Sequence, residues 1–372
     1  MRDVPLTENV FTPNKLFVHM DRLYDWWQGK NIYPITVEIG PTSVCNHFCS
    51  WCMHGAYFGK HRGDQKELKL YPDSSKMSFE FYRKLLDELV TLGVKSIVFA
   101  GSGEPYVNVE FPKFIEYTRR SGIDAGIITN GSLMDEESIS LTVANANWLR
   151  VSLNAGCAKT RALIHKIPES DFEITLENIR KLAAERRRMS SNIHLGSQIV
   201  VCPENWEEVY ECGLVSKQAG ADYLQVKPVI LHPMSSDKQY EETFFRRALE
   251  VIYEAKTKLD GDGFKVFVKE DQFAGILSPD YERSHYKKCY ATFFPVIEAN
   301  KLVYYCSQTR GLPQFAVGDL SKSSFKEIWV SSRRQEVIDG IDISKCQPIC
   351  RCHQINKTLW AIKHPQNGPN FV

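Results

Sequence analysis

The sequence predicts an α/β protein built on a parallel sheet, and three observations indicate this fold class. Short apolar segments that are typical of buried strands alternate with longer segments of helical periodicity. The helical segments have roughly ten or more residues, the length that a crossover between parallel strands requires. About six or seven such units fit before a cysteine-rich tail, which predicts a full or partial (β/α) barrel.

Composition narrows the class of protein. The 372 residues include 46 Lys and Arg against 45 Asp and Glu, so the charge balance predicts no nucleic-acid partner. The 11 cysteines are an odd number and no secretory signal pattern opens the chain, which favours a reducing, cytoplasmic location over a disulfide framework. No apolar run approaches the roughly 18 residues that span a bilayer, and we expect no membrane association.

A packing helix is expected ahead of the barrel, in residues 1–30. Leu16, Met20, Leu23 and Trp27 recur at helical spacing, and Gly29 follows as a stop signal.

The barrel is expected in residues 31–275. The predicted strands are Ile35–Ile39, Ser96–Ala100, Ala125–Thr129, Trp148–Leu153, Gln198–Val201, Tyr223–Val229 and Phe264–Val268. The clearest helical stripes are Phe81-Leu85-Leu89-Leu92, with Ser78 as cap and Gly93 as stop, Leu176-Ile179-Leu182, and the segment 244–253. Since active residues of such barrels follow the strands, the segments after each strand are the candidate site.

Three cysteines, Cys45, Cys49 and Cys52, lie in one short segment after the first strand. Three thiolates can hold three irons of a [4Fe–4S] cluster and leave the fourth iron without a protein ligand. The alternative is a structural zinc site, which takes four ligands and would need His47 or His54 as the fourth.

The spacing C-x3-C-x2-C, with Trp51 before the third cysteine, resembles the signature of the radical S-adenosylmethionine (radical SAM) superfamily. The resemblance implies a partial (β/α)6 barrel over roughly residues 31 to 270. It also implies that the open iron binds SAM and that an electron from the cluster cleaves SAM to a 5′-deoxyadenosyl radical.

Other segments resemble the SAM-binding parts of that family. Gly101, Ser102, Gly103 and Glu104 resemble its GGEP motif, with serine at the second position. The resemblance further assigns cofactor contacts to four residues at the ends of the third and fourth strands, namely Thr129, Asn130, Ser152 and Asn154. It also implies a cation for the SAM carboxylate, with Lys166 as the first candidate and Arg161 as the second. Ordinary turns and a solvated helix charge are the alternatives for these residues.

The polar stretch Met53–Lys76 has no clear periodicity. We expect either a lid that carries His54, Tyr57, His61 and Arg62 toward the substrate or a plain surface insertion.

The tail, residues 276–372, predicts a small α+β domain. Segments 294–299 and 302–305 read as a β-hairpin with Cys289 and Cys306 at its feet, and a helix is expected over Ser324–Ile338. Cys346, Cys350 and Cys352 follow, before His353. The arrangement resembles the twitch or SPASM domain of radical SAM enzymes, which implies one auxiliary [4Fe–4S] cluster with one of the five cysteines spare. A zinc ribbon formed by Cys346, Cys350, Cys352 and His353 is the alternative.

The resemblance implies an oxidoreductase or epimerase that abstracts hydrogen from a small polar substrate such as a sugar, an aminocyclitol or a nucleoside, with flavodoxin or ferredoxin as electron donor. Two alternatives are a peptide-modifying or protein-modifying enzyme of the same chemistry and a zinc-stabilised binding module without catalysis. Epimerisation needs a hydrogen donor, and Cys202 and Cys157, which each follow a strand, are the candidate thiols. Dehydrogenation would pass an electron to the auxiliary cluster instead.

Overall fold

The fold is organised around one ten-stranded sheet in a computed structural model. The structure describes residues 13–52, 75–230, 241–278, 285–290, 294–346, 350 and 352–365. In chain order the strands are β1 (Thr36–Ile39), β2 (Ser96–Phe99), β3 (Asp124–Thr129), β4 (Trp148–Ser152), β5 (His194–Val201), β6 (Tyr223–Pro228), β7 (Lys265–Val268), β8 (Val296–Ile297), β9 (Leu302–Tyr304) and β10 (Ala316–Asp319).

The first seven strands are parallel and lie side by side in chain order. In the described part of the chain β7 and β10 are the two edges of the sheet, so the barrel is open. The structure therefore confirms the predicted α/β class with a partial barrel.

Twelve α-helices join or flank these strands in the described ranges. They are α1 (Met20–Trp27), α2 (Phe79–Thr91), α3 (Phe111–Arg120), α4 (Glu136–Asn145), α5 (Ala158–His165), α6 (Ser170–Met189), α7 (Val209–Gln218), α8 (Glu242–Leu259), α9 (Glu270–Leu277), α10 (Phe325–Trp329), α11 (Ser332–Asp339) and α12 (His353–Lys363). The Ser78 hydroxyl accepts a hydrogen bond from Phe81 N at the start of α2, as the sequence predicts. No helix in these ranges is long and apolar enough to cross a membrane.

The two faces of the sheet differ in chemistry. Apolar side chains such as Val37, Leu149 and Val226 point to the helices and belong to the main core. Alternate positions carry buried polar side chains, including Glu38 and Gln225, which therefore line the concave interior of the open barrel.

The N-terminal segment, where the sequence predicts a packing helix, contains two kinds of helix. Residues Pro13–His19 form a 3₁₀ helix that leads into α1. Leu16, Leu23 and Trp26 are buried, whereas Met20 is 58% exposed and Trp27 is 50% exposed. The change of helical pitch after residue 19 rotates the apolar face, so Trp26 replaces Trp27 in the packing.

The tail joins the barrel directly. β8 pairs in parallel with β1, β9 follows through a turn at Lys301, and β10 completes the sheet. The predicted hairpin is confirmed, while the division at residue 275 stays a prediction because strands on both sides share one sheet. The single helix expected over Ser324–Ile338 is wrong: two helices form, because the Ser331 side chain caps α11 at Arg334 N.

Candidate SAM and iron–sulfur site

The cysteine segment follows β1 at the carboxyl edge of the sheet. It is held against the end of α5 by two backbone hydrogen bonds, from Phe48 N to His165 O and from Ser50 N to Ile164 O, each 3.0 Å. The structure thus places Cys45, Cys49 and Cys52 where barrel enzymes carry reactive groups.

The three thiols lie close enough to affect one another. Burial, and then the neighbouring thiols of Cys52 and Cys45, raises the pKa of Cys49 well above its usual range. Three such thiols ionise together only beside a strong positive charge, which bound iron supplies. These residues therefore fit a [4Fe–4S] cluster.

The glycine-rich turn packs directly on the cysteine segment. Glu104 N donates to Val44 O over 2.9 Å, and a Cβ atom on Gly103 would lie 2.3 Å from the same oxygen. Only glycine permits this approach. The predicted SAM turn and the predicted cluster segment are thus brought together.

Glu104 links the second and third strands. Its carboxyl accepts hydrogen bonds from Thr129 Oγ1 at 2.6 Å and from Asn130 N at 2.7 Å. Burial raises the pKa of Glu104 to about 7, although these hydrogen bonds oppose the shift. The Glu104 side chain therefore supports the end of the next strand.

Other predicted cofactor contacts also bind the protein itself. Asn130 Nδ2 donates to Asn46 Oδ1 in the cysteine segment over 2.8 Å, and Asn154 Oδ1 accepts from Val200 N over 2.9 Å. Asn154 has φ of +61°, a conformation that asparagine tolerates. Ser152 ends β4 and is partly buried. The cofactor roles of these residues stay predictions.

The two cation candidates differ sharply. Lys166 is exposed at the end of α5, and its role as a carboxylate ligand stays a prediction. Arg161 is fully buried, and all of its guanidinium N–H groups have partners. The acceptors are Asp171 Oδ1, Ser152 O, Leu153 O, Asn130 O and Thr175 Oγ1. Arg161 therefore ties together the ends of β3 and β4 and has no donor left for SAM.

The structure brings together two histidines that the sequence does not identify as a pair. His47 Nδ1 lies 2.9 Å from His165 Nδ1, and His165 Nδ1 lies 3.5 Å from Cys49 Sγ. Burial, and then the charge of Arg161, lowers the pKa of His165 well below its usual range, so its ring is neutral. His47 stood in the cysteine segment, but nothing in the sequence pointed to His165, which is 118 residues away.

Ser102 binds the C-terminal part of the chain. Its hydroxyl donates to Glu298 Oε2, and Arg310 pairs with both Glu298 and Glu38. All four side chains are buried. The serine at the second position of the GGEP-like turn thus has a partner directly after β8.

The two candidate thiol donors occupy different surroundings. Cys202 is fully buried in the hydrophobic core beside the helices, and burial raises the pKa of its thiol. Its role as a hydrogen donor stays a prediction that this placement does not favour. Cys157 is exposed, and its thiol lies 3.5 Å from Glu208 Oε1.

The tail cysteines converge unequally. Burial, and then the thiols of Cys352, Cys306 and Cys289, raises the pKa of Cys350 well above its usual range, whereas Cys346 is exposed. Four clustered thiols fit an auxiliary [4Fe–4S] cluster. His353, the fourth ligand of the alternative zinc ribbon, is buried with its Nδ1 3.1 Å from Tyr286 Oη.

The predicted lid residues His54, Tyr57, His61 and Arg62 lie outside the described residues.

Comparison with curated proteins gives matches of modest identity. The chain is 25% identical over 191 residues to the tungsten-containing aldehyde ferredoxin oxidoreductase cofactor-modifying protein of Pyrococcus furiosus, which covers 51% of this chain and 50% of that protein. It is 21% identical over 317 residues to the PqqA peptide cyclase of Gluconobacter oxydans, covering 83% and 80%. The chain thus spans about half the length of the first of these relatives.

Solved structures share the fold. SuiB of Streptococcus suis, bound to S-adenosylmethionine, aligns with a TM-score of 0.63 at 14% identity over 88% of this chain and 73% of that chain. anSMEcpe with bound AdoMet aligns with a TM-score of 0.57 at 18% identity over 87% and 85%.

A family model described as the Radical SAM superfamily matches residues 39–212, a range that contains the cysteine segment and the glycine-rich turn. Outside that range the convergent tail cysteines fit an auxiliary cluster of the twitch or SPASM type. Residues 39–212 of the chain therefore form a radical SAM domain.

Proposed function

We propose that this radical SAM enzyme abstracts a hydrogen atom from a small polar substrate such as a sugar, an aminocyclitol or a nucleoside, giving epimerisation or dehydrogenation. The observation that carries the radical chemistry is the convergence of three thiols and the glycine-rich turn at one edge of the sheet. A [4Fe–4S] cluster, when bound, supplies the electron that cleaves SAM to the 5′-deoxyadenosyl radical.

The chain's own residues hold and orient the reactants. Cys45, Cys49 and Cys52 would bind three irons, and the backbone of residues 101–104 would contact the SAM amino group beside them. The hydrogen bond from Glu104 N to Val44 O fixes the turn relative to the cysteine segment. Because these contacts are made by backbone groups, their geometry is set before SAM arrives.

For the auxiliary cluster we propose Cys289, Cys306, Cys350 and Cys352 as ligands and Cys346 as the spare cysteine. Besides burial, the thiols of Cys352, Cys306 and Cys289 raise the pKa of Cys350, which supports this choice. Flavodoxin or ferredoxin remains the proposed electron donor, and a cytoplasmic location remains the prediction.

The concave face of the sheet supports a small polar substrate. Arg150 Nη1 donates to Gln225 Oε1 over 2.8 Å, and both side chains are buried. Gln225 Nε2 has no hydrogen-bond partner within the described part of the protein. A donor left over in a buried position can bind a substrate hydroxyl or carbonyl oxygen.

A peptide substrate is the second candidate, and the similarity to known peptide-modifying and peptide-binding proteins supports it. The PqqA peptide cyclase aligns over most of both chains, and SuiB has also been solved bound to its precursor peptide SuiA. A nucleotide substrate is represented as well, by the S-adenosylmethionine-dependent nucleotide dehydratase of Selenomonas ruminantium, 25% identical over 179 residues, 47% of this chain and 59% of that protein.

The test is 5′-deoxyadenosine formation by anaerobic protein under dithionite, with separate panels of nucleosides, aminocyclitols and synthetic peptides. One panel should stimulate SAM cleavage, and the panel that does so assigns the substrate class. Cys45→Ala, Cys49→Ala and Cys52→Ala should each abolish cleavage, while exposed Cys346→Ala should retain it. Turnover by any of the three variants Cys45→Ala, Cys49→Ala and Cys52→Ala would refute the assignment of these cysteines to the cluster. Colourless protein that holds zinc would support the alternative of a zinc-stabilised binding module.

The fate of the substrate radical needs its own test. If a thiol returns a hydrogen atom, wild-type product made in D2O carries deuterium and Cys157→Ala or Cys202→Ala changes the outcome. Product without deuterium, unchanged in both variants, would favour electron loss to the auxiliary cluster.

A further inference from the structure

A continuous chain of buried hydrogen bonds ends at one thiol of the cysteine triad. It runs from Asp171 through His47 to His165 and Asn154, and the Cys49 sulfur lies beside it. His47, His165 and Asn154 are each at most 5% exposed, so water does not compete for these bonds. The partners therefore determine where each proton resides.

The proton positions follow from the two ends of the chain. Asn154 Oδ1 accepts from Val200 N, so Asn154 Nδ2 faces His165 Nε2, at 3.1 Å, and donates to it. His165 must then carry its proton on Nδ1.

The other end agrees with this assignment. Ser132 Oγ donates to Asp171 Oδ2 over 2.5 Å, and His47 Nε2 lies 2.9 Å from Ser132 Oγ and 3.3 Å from Asp171 Oδ2. Both oxygens accept, so His47 carries its proton on Nε2 and its Nδ1 accepts from His165. Asp171 is in turn held by the buried Arg161, 2.8 Å away.

His165 therefore presents one N–H to two acceptors, His47 Nδ1 at 2.9 Å and Cys49 Sγ at 3.5 Å. We propose that His165, held by Asn154 and by the Asp171–His47 pair, is a positioning residue that donates a hydrogen bond to the Cys49 thiolate of the iron–sulfur cluster and raises its reduction potential. A hydrogen bond to a ligand sulfur stabilises the added electron, because reduction increases the negative charge at the cluster. This inference rests on the proposed cluster at Cys45, Cys49 and Cys52.

A separate metal ion at this place is the competing explanation. The ligand atoms of His47, Cys49 and His165 all lie within 4.8 Å of one another. However, each imidazole nitrogen already faces a hydrogen-bond partner, and the two Nδ1 atoms face each other. Neither ring has a lone pair free for a metal unless this chain is broken.

The experiment compares His165→Leu, which removes the donor, with His165→Asn, whose amide nitrogen can occupy the position of Nδ1. The full-length protein is loaded with iron anaerobically, its iron content is measured, and the potential is determined by a redox titration followed by EPR. The signal that changes on addition of SAM identifies the cluster at the triad. His194→Leu is the matched control, since His194 is the first residue of β5 and lies at the end of that strand away from the cysteine segment.

The leucine variant should shift the potential to more negative values, while the asparagine variant and the control should stay near wild type. His47→Leu should shift it to more positive values, because the His165 proton is then no longer shared. Iron loading by the asparagine variant alone would also support a donor role.

Full loading with an unchanged potential in His165→Leu would overturn the proposal. Failure of both His165 variants to load would overturn it as well, because it would show that the ring matters for packing. If wild-type protein binds no iron at the triad, the proposed function itself fails.

Discussion

Gly103 shows at the scale of one residue how the site is assembled. A Cβ atom at this position would lie 2.3 Å from Val44 O and 2.6 Å from Thr42 O, both in the backbone that leads into Cys45. Since backbone atoms cannot rotate away as a side chain can, the turn and the cysteine segment would have to separate.

Gly103→Ala should therefore impair iron and SAM binding and lower the free energy of unfolding by about 1–3 kcal/mol, the usual cost of overpacking. Iron content and SAM binding by calorimetry are the measurements. The control is Gly122→Ala, which has positive φ but open space around it. It should lose stability and keep both ligands, and equal loss of iron in the two variants would contradict the argument.

Glu104 should give the apoprotein a measurable pH dependence. Its folded pKa of about 7 lies above the unfolded value of 4.5, so between these values the folded state holds a proton that the unfolded state has lost. The contribution of Glu104 to stability is then greatest below pH 4.5 and falls as pH rises toward 7, by up to about 3 kcal/mol. Urea unfolding should give wild-type protein a lower free energy of unfolding at pH 7.5 than at pH 5, and Glu104→Gln should lack this fall. An equal fall in the two proteins would contradict the role of Glu104.

At the scale of elements, Arg310 joins the tail to the barrel. It pairs with Glu298, directly after β8, and with Glu38 on β1, and neither carboxylate reaches solvent. The charge of Arg310 therefore offsets the burial of two acidic groups on adjacent strands.

Arg310→Met should destabilise the protein by about 3–5 kcal/mol, because it leaves buried carboxylates without their cation. Arg246→Met is the control, since Arg246 makes an exposed ion pair with Glu242 on α8 and should contribute less than about 0.5 kcal/mol. Chemical unfolding measures both variants. Equal effects would show that the buried cluster contributes no more than a surface pair.

The sequence predicted the elements better than their contacts. Strand alternation and the Ser78 cap are local signals, so β1 to β7 and the start of α2 were predictable. The break before α11 was not, since the apolar pattern continues through it while Ser331 provides the cap. His165 and Glu298 were missed because their partners are 116 and 196 residues away, a distance that only the folded sheet closes.

At the scale of the whole molecule, one sheet runs from the barrel into the tail, and Cys45 follows its strand β1 while Cys306 follows its strand β9. Parallel pairing of β1 with β8 places the tail beside the strand that precedes the triad. The exposed Cys346 and the clustered Cys289, Cys306, Cys350 and Cys352 predict which thiols bind metal there.

Iron counting after anaerobic reconstitution tests this assignment. Wild-type protein should bind about eight irons per chain, and a variant without the three triad cysteines should keep about four, because each [4Fe–4S] cluster has its own ligands. Cys350→Ala should lose about four irons, since its thiol lies among the other three, and Cys346→Ala should lose none. The reverse result for the last two variants would make Cys346 a ligand. Zinc in place of iron in the triad-deleted variant would instead assign the tail to a zinc ribbon.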